Sequence, residues 1–185
     1  MGGPRRVAND PLRKQRILDA TLAVIAEHGV HRTTHRRIAD TAGVPLGSLT
    51  YHFESLDAIL EQAFEALADS MSERYSTALT EAPDQLAACA AVTDLICGDD
   101  YVTSREVTIL HEMYGYANHN PAVAEACRRW LLRSRDSLAV HFPPRACRAI
   151  DALIEGWPMH QAWEREPLER DLVHATIVAI AERIR

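Results

Sequence analysis

The chain has 185 residues, 47% of them hydrophobic, which is enough to build one large or two small cores without help from metals or disulfides. Its formal net charge of −6 taken alone argues against a nucleic-acid partner, but the charge is unevenly spread. Residues 1–55 carry eight Lys/Arg against five Asp/Glu, a net +3, and the remainder carries a net −9.

No run approaches the ~18 apolar residues of a membrane span, and no apolar signal region follows the N-terminal arginines, so the expectation is a cytoplasmic protein without a membrane partner. The four cysteines, at 89, 97, 127 and 147, form no CxxC pair and are expected as reduced, mostly buried residues.

Residues 1–10 are rich in Gly, Pro and Arg without periodicity and are expected as a flexible arm. Pro11 then opens a helix to about His28, with Ile17, Thr21, Val24 and Ile25 on one stripe, and Gly29 ends it. Thr34 can cap a second helix that Gly43 ends in the left-handed conformation. Pro45 can then open a third, because a first helical position needs no N–H. Ile38, Ala39 and Ala42 on one of these short helices, and Leu49 and Phe53 on the other, recur at spacings of three or four, so both can pack on a shared core with Val44 between them. The third helix turns Leu46, Gly47, Ser48, Thr50 and His52 outward. Small and hydroxyl-bearing side chains on a short exposed helix, beside Arg36 and Arg37, suit a helix laid into a DNA major groove. Residues 11–54 therefore read as a helix-turn-helix DNA-binding domain.

Ser55 is a good N-cap for the next helix, which continues to the neighbourhood of Pro83. At 1.5 Å per residue its span of about 25 residues is roughly 37 Å, long enough to leave one domain and enter another. The rest is helical throughout: 85–97 capped by Asp84, 104–118 with a Thr103/Glu106 capping box, 121–141 opened by Asn120-Pro121, then 145–165 and 168–184. Pro158 is expected to kink or interrupt the helix that contains it. With no alternating strand and no repeat, the fold class is all-α with about nine helices, and residues 55–185 are expected as a second helical domain, which the family resemblance described next marks as ligand-sensing and dimerising.

The string Gly29, Thr33-Thr34, Ile38-Ala39, Ala42-Gly43-Val44, Gly47, Leu49, Tyr51-His52-Phe53 and Ser55/Asp57 resembles the TetR family of transcriptional regulators over residues 12–62. The resemblance implies a nine-helix layout, a homodimer formed through the last two helices, and a small-molecule effector enclosed by the C-terminal part. It places Arg36 where a base or phosphate is read, Leu46, Gly47, Ser48 and Thr50 at groove-facing positions, and Tyr51 and His52 at phosphate-contacting ones. With Thr34 and Arg37 these are the candidate DNA-binding residues. The chain departs from the family at Thr50, where many members have Tyr, and at Leu56, where many have Lys.

A dimer also follows from physics, since one short helix reads few base pairs and two heads about 34 Å apart read successive major-groove faces of a palindromic operator in double-stranded DNA. Leu172, Val173, Thr176, Ile177, Ile180 and Ile184 give the last helix an apolar stripe, and Ile150, Leu153, Ile154, Trp157 and Trp163 give the preceding segment another. For the effector, His111, Tyr114, Trp130 and Trp157 are the candidate ligand-binding residues, because cavities are mainly apolar with a few placed polar groups. Aromatic residues at helical spacing also serve as plain core.

The competing reading is a helical enzyme or metal-binding protein that uses His111 and nearby Cys/His residues. His111-Glu112 lacks a second His four positions on, where Gly115 stands, and no nucleophile elbow, phosphate loop or dinucleotide fingerprint occurs. Cys89, Cys97, His111 and His119 have no compact metal-ligand spacing. No catalytic residue, metal or cofactor is therefore assigned. A helical interaction module without DNA binding is disfavoured, because the basic charge and the groove-sized helix coincide in the same fifty or so residues.

Overall fold

The computed structural model describes residues 12–98 and 103–185. The expected arm and Pro11 lie outside them. Among the described residues the fold is all-α, with nine α-helices and one short 3-10 turn and no strand. In order these are α1 (Arg13–His28), the 3-10 turn (Val30–Arg32), α2 (His35–Ala42), α3 (Leu46–His52), α4 (Leu56–Thr80) and α5 (Gln85–Cys97). They are followed by α6 (Ser104–Ala117), α7 (Pro121–Leu138), α8 (Pro144–Gln161) and α9 (Arg170–Arg183). None of these helices is long and apolar enough to cross a membrane. The chain divides within α4 into two compact units, Met1–Ala63 and Phe64–Arg185.

In the first unit, α1 buries Ile17, Leu18, Val24 and Ile25, α2 buries Ile38 and Ala39, and α3 buries Leu49. Val44 and Phe53, at the two ends of α3, are buried as well. Thr21 lies in the same apolar stripe because its hydroxyl donates to the Ile17 carbonyl at 2.7 Å, leaving only its methyl to be packed. Ala42, expected inside, is half-buried at the end of α2.

In the second unit the helix starts follow the capping chemistry. Asp84 accepts from the Ala87 N–H at 2.8 Å, and Asn120 accepts from Ala122 and Val123 at 3.0 and 3.1 Å. Thr103 and Glu106 form the reciprocal box, and Glu106 also pairs with Arg74 at 2.6 Å. Two helix ends differ from expectation. The α7 helix stops at Leu138 rather than 141, because the Phe142 N–H turns back to the Leu138 carbonyl and Pro143-Pro144 follows. The α8 helix runs through Pro158 but stops at Gln161 rather than 165, one turn after the proline whose missing N–H leaves the Ile154 carbonyl without its helical donor.

The apolar stripes of the last two helices are only partly spent inside the chain. Val173 and Ile177 are fully buried, and α9 packs on α5 and α8. Leu172 remains 53% exposed, and Thr176, Ile180 and Ile184 are half-buried. The Thr176 hydroxyl is turned onto the Leu172 carbonyl at 2.7 Å, so this strip shows mainly carbon outward. On α8, Ile150 and Ile154 are buried, while Leu153 and Trp157 are half-buried. Trp163 lies beyond the end of α8 and is 80% exposed.

The charged group most deeply set in this unit is Asp151 on α8, 2% exposed. It accepts from the Ser134 hydroxyl at 2.5 Å and from Arg135 Nε at 3.0 Å, which ties α8 to α7. Replacing Asp151 with Ala leaves both donors without their acceptor. The expected cost is about 2–4 kcal/mol of unfolding free energy, with the arginine's partial exposure keeping it below a fully buried pair. Chemical denaturation of Asp151→Ala beside the parent protein checks this.

Candidate nucleic-acid interface

The α2-turn-α3 segment is fixed by two local devices. Thr34 has extended backbone angles, and its hydroxyl oxygen accepts from the Arg37 N–H at 3.3 Å, capping α2. Gly43 has φ 63° and ψ 37°, the left-handed conformation that only glycine takes without strain. Its N–H reaches the Asp40 carbonyl at 3.3 Å, and the Val44 N–H reaches the Ala39 carbonyl at 3.0 Å. That pair of bonds is a Schellman stop, with Val44 as the apolar residue that follows it into the core. Pro45 then serves as the N-cap of α3 rather than as its first residue, so the helix starts one place later than expected, because the ψ of 142° at Pro45 is extended rather than helical.

Leu49 is the only fully buried residue of α3. Leu46, 50% exposed, Gly47 and Thr50 face solvent, and Tyr51 stands out at 79%. Ser48 and His52 are half-buried. Thr50 donates to the Gly47 carbonyl at 3.2 Å and so shows its methyl and an acceptor oxygen. Tyr51 and His52 meet edge to face with centroids 4.9 Å apart, which limits the freedom of both rings.

The two arginines of α2 differ. Arg37 Nη1 donates to the Arg32 carbonyl at 2.7 Å, so part of its guanidinium braces the 3-10 turn. Arg36 is exposed and makes no such bond among the described residues. At the start of α4, Ser55 accepts from the Ala58 N–H at 3.0 Å, and Leu56 is half-buried. One feature was not expected: the Lys14 ammonium lies 5.6 Å from the centre of the Phe53 ring and fixes a positive charge beside the end of α3. The basic charge of α1 hinted at it, but its meeting with Phe53 depends on tertiary packing.

The ligand candidates fall into two places. Tyr114 stacks on the buried Trp130 with centroids 6.3 Å apart and planes 16° from parallel, and its hydroxyl donates to Glu155 on α8. His111 instead faces the exposed Trp163 at 6.0 Å, and Trp157 is half-buried on α8. Glu155 was missed by sequence reasoning, since an isolated acid on a helix normally faces water. Desolvation pushes its carboxyl up to about 7, the Tyr114 hydrogen bond pulls it down and neighbouring Asp151 raises it further. A cavity of about 580 Å³ in this unit has Cys97, Val107, Thr108, Pro158 and Gln161 in its wall and none of the four ligand candidates. No group of His, Cys, Asp and Glu suited to a metal ion occurs among the described residues.

Two short helices joined by a glycine-stopped turn and packed on a third define a helix-turn-helix protein. The family profile for bacterial regulatory proteins of the tetR family matches residues 17–63. The crystal structure of SCO7518 from Streptomyces coelicolor A3(2), described as a transcriptional regulator, is 42% identical with a TM-score of 0.83 and covers 92% of this chain and 99% of that one. The transcriptional regulator BetI of Escherichia coli O157:H7 is 25% identical over 89% of both chains, and BetI of Serratia proteamaculans is 33% identical over 43% of this chain and 40% of that one. The multidrug binding protein EbrR, solved with imidazole, is 26% identical with a TM-score of 0.73, covering 93% of this chain and 96% of that one. The chain belongs to the TetR family of bacterial transcriptional regulators. Its relatives are regulators rather than enzymes.

Two measurements test this geometry. Gly43→Ala destabilises the protein by about 1–2 kcal/mol through left-handed strain, whereas Gly47→Ala, where a Cβ meets nothing within 4 Å, does not destabilise. Thermal melts of the two variants separate these outcomes. The raised Glu155 carboxyl binds a proton more tightly in the folded chain than in the unfolded one. Its contribution to stability is therefore complete below the ordinary glutamate range and is lost as pH rises through about 7. Melting curves between mildly acid and mildly alkaline pH are expected to fall less steeply for Glu155→Gln than for the parent.

Proposed function

We propose that the protein is a homodimeric, ligand-responsive repressor that binds a palindromic operator through α3 and is released by a small molecule bound in its C-terminal unit. The observation that carries the DNA-binding part is the outer face of α3. Leu46, Gly47, Thr50 and Tyr51 are exposed there, beside the exposed Arg36 of α2. A helix held by one buried leucine and otherwise presented to solvent has the dimensions and chemistry of a major-groove reader. In this reading Arg36 reads a base edge or phosphate, Leu46, Gly47, Ser48 and Thr50 face the groove, and Tyr51 and His52 meet phosphates. Thr34 and Arg37 chiefly hold α2 in place, with their spare donors available to the backbone.

Dimerisation through α8 and α9 is supported by the apolar strip of Leu172, Thr176 and Ile180 left outside the core. Effector binding in the second unit is supported by the likeness to the multidrug-binding EbrR; of the residues expected to line the site, Tyr114 and Trp130 stand together while His111 faces Trp163. The effector lowers operator occupancy by favouring a form with less affinity for DNA, and its effect is bounded by its difference in affinity for the two forms. The protein acts in the cytoplasm, where the operator is.

A mobility-shift titration against genomic fragments at two salt concentrations tests the reading, since specific binding survives moderate salt and bulk binding does not. Failure to select any fragment would overturn it. Arg36→Ala is expected to weaken operator binding by about 1–3 kcal/mol and to relax preference at one base position. Uniform weakening across sequences identifies a phosphate contact instead.

A further inference from the structure

Nothing in the helix that carries it calls for a cation at Lys14. The residue lies in the first turn of α1, between Arg13 and Arg16, where there is no acidic side chain and no side-chain cap. Positive charge at the start of a helix opposes the helix dipole, so a lysine there weakens α1 rather than holding it. Lys14 is exposed and has no ion pair among the described residues. Its contact is aromatic: the ammonium stands 5.6 Å from the centre of the Phe53 ring, which is 5% exposed.

Phe53 closes α3. Its N–H donates to the Leu49 carbonyl at 2.8 Å, its ring stands 6.3 Å from the His52 ring, and His52 in turn meets Tyr51 at 4.9 Å. The Lys14 ammonium, the His52 imidazole and the Tyr51 phenol are thus linked by ring contacts at the C-terminal end of α3, and each can donate a hydrogen bond to an anion. A surface lysine ordinarily loses many rotamers when it binds. Resting on a buried ring restricts those rotamers beforehand. A ring, unlike a carboxylate, also holds the ammonium without neutralising it, so the charge stays available to a phosphate.

We propose that Lys14 is a phosphate-contacting residue of the DNA-binding head, positioned by Phe53. The proposal deepens the DNA-binding part of the proposed function and rests on that reading. The ammonium meets a backbone phosphate beside those met by Tyr51 and His52. Because it projects from α1, it ties the body of the head, and not α3 alone, to the duplex. A contact of this kind carries no base preference; it fixes the register and angle at which the reading helix enters the groove.

The test uses the full chain with the genomic fragment that the parent protein selects and a random-sequence duplex of the same length, each titrated over a range of salt concentrations. Lys14→Gln is expected to bind both duplexes more weakly, by roughly tenfold or more at 0.1 M salt, with the slope of log affinity against log salt shallower by about 0.9 for each head. The order of preference among fragments is expected to stay the same, and Lys14→Arg is expected to keep the parent slope. Neutral methylphosphonates placed one at a time in the selected fragment locate the contact: one position in each half-site is expected to weaken the parent and to leave Lys14→Gln unaffected. In a Phe53→Leu background shown by thermal melting to be folded, the loss caused by Lys14→Gln is expected to be several-fold smaller, and an equal loss overturns the role given to Phe53. An unchanged salt slope, a loss confined to particular base sequences, or the same methylphosphonate profile in parent and Lys14→Gln each overturns the assignment of Lys14. A parent protein that selects no fragment fails the proposed function itself, whereas a selected fragment bound by Lys14→Gln with the parental slope fails the assignment of Lys14 alone.

Discussion

The first unit depends on the burial of Leu49. A helix of seven residues is far below the length at which an isolated helix is stable in water, so α3 exists only because this side chain, fully withdrawn from solvent, is gripped by a core it does not itself build. Ile17 and Ile25 on α1 and Ile38 on α2 supply that core, and Val44 and Phe53 pin the two ends of α3 to it. Because one side chain anchors the helix, the remaining positions are released from packing. They are chosen by what they present outward, which is the condition a reading surface requires.

The second unit is governed by a different constraint, the placement of carboxylates on α8. Asp151 and Glu155 lie four residues apart on the same helix face, the first buried and the second half-buried. They are treated unequally. Asp151 has an arginine and a serine, so its charge is compensated within the fold, whereas Glu155 has a phenol alone. Two like residues a turn apart thus end in different electrostatic surroundings, because what decides it is the neighbouring helix and not the residue type.

The features legible in the sequence are those set by near neighbours in the chain. Thr34, Asp84, Thr103 with Glu106, and Asn120 each act within three residues, and each cap occurs where its sequence signature stands. Gly43 was equally plain, since a helix stop needs positive φ. The inward stripes of α1 to α3 followed from helical period. What stayed hidden required distant partners: the Lys14 ammonium on the Phe53 ring, the Tyr114 hydroxyl on Glu155, and the division of the α9 stripe between a buried pair and an outer strip. Periodicity gives the direction in which a side chain points, but not whether another helix or solvent lies there. The early end of α8 is intermediate: Pro158 was visible, but one more turn beyond it depended on local bonding.

Gly47 has a consequence for how such a head diverges. It sits on the outer face of α3 with no atom within reach of an added Cβ and with no positive φ, so neither packing nor backbone conformation calls for glycine. Helix propensity works against it by about 1 kcal/mol relative to Ala. On the proposed reading this is a vacancy facing the base edges. A side chain acquired there would change which sequences are tolerated and leave the scaffold undisturbed, so recognition in this protein can drift through one position without passing through an unfolded intermediate.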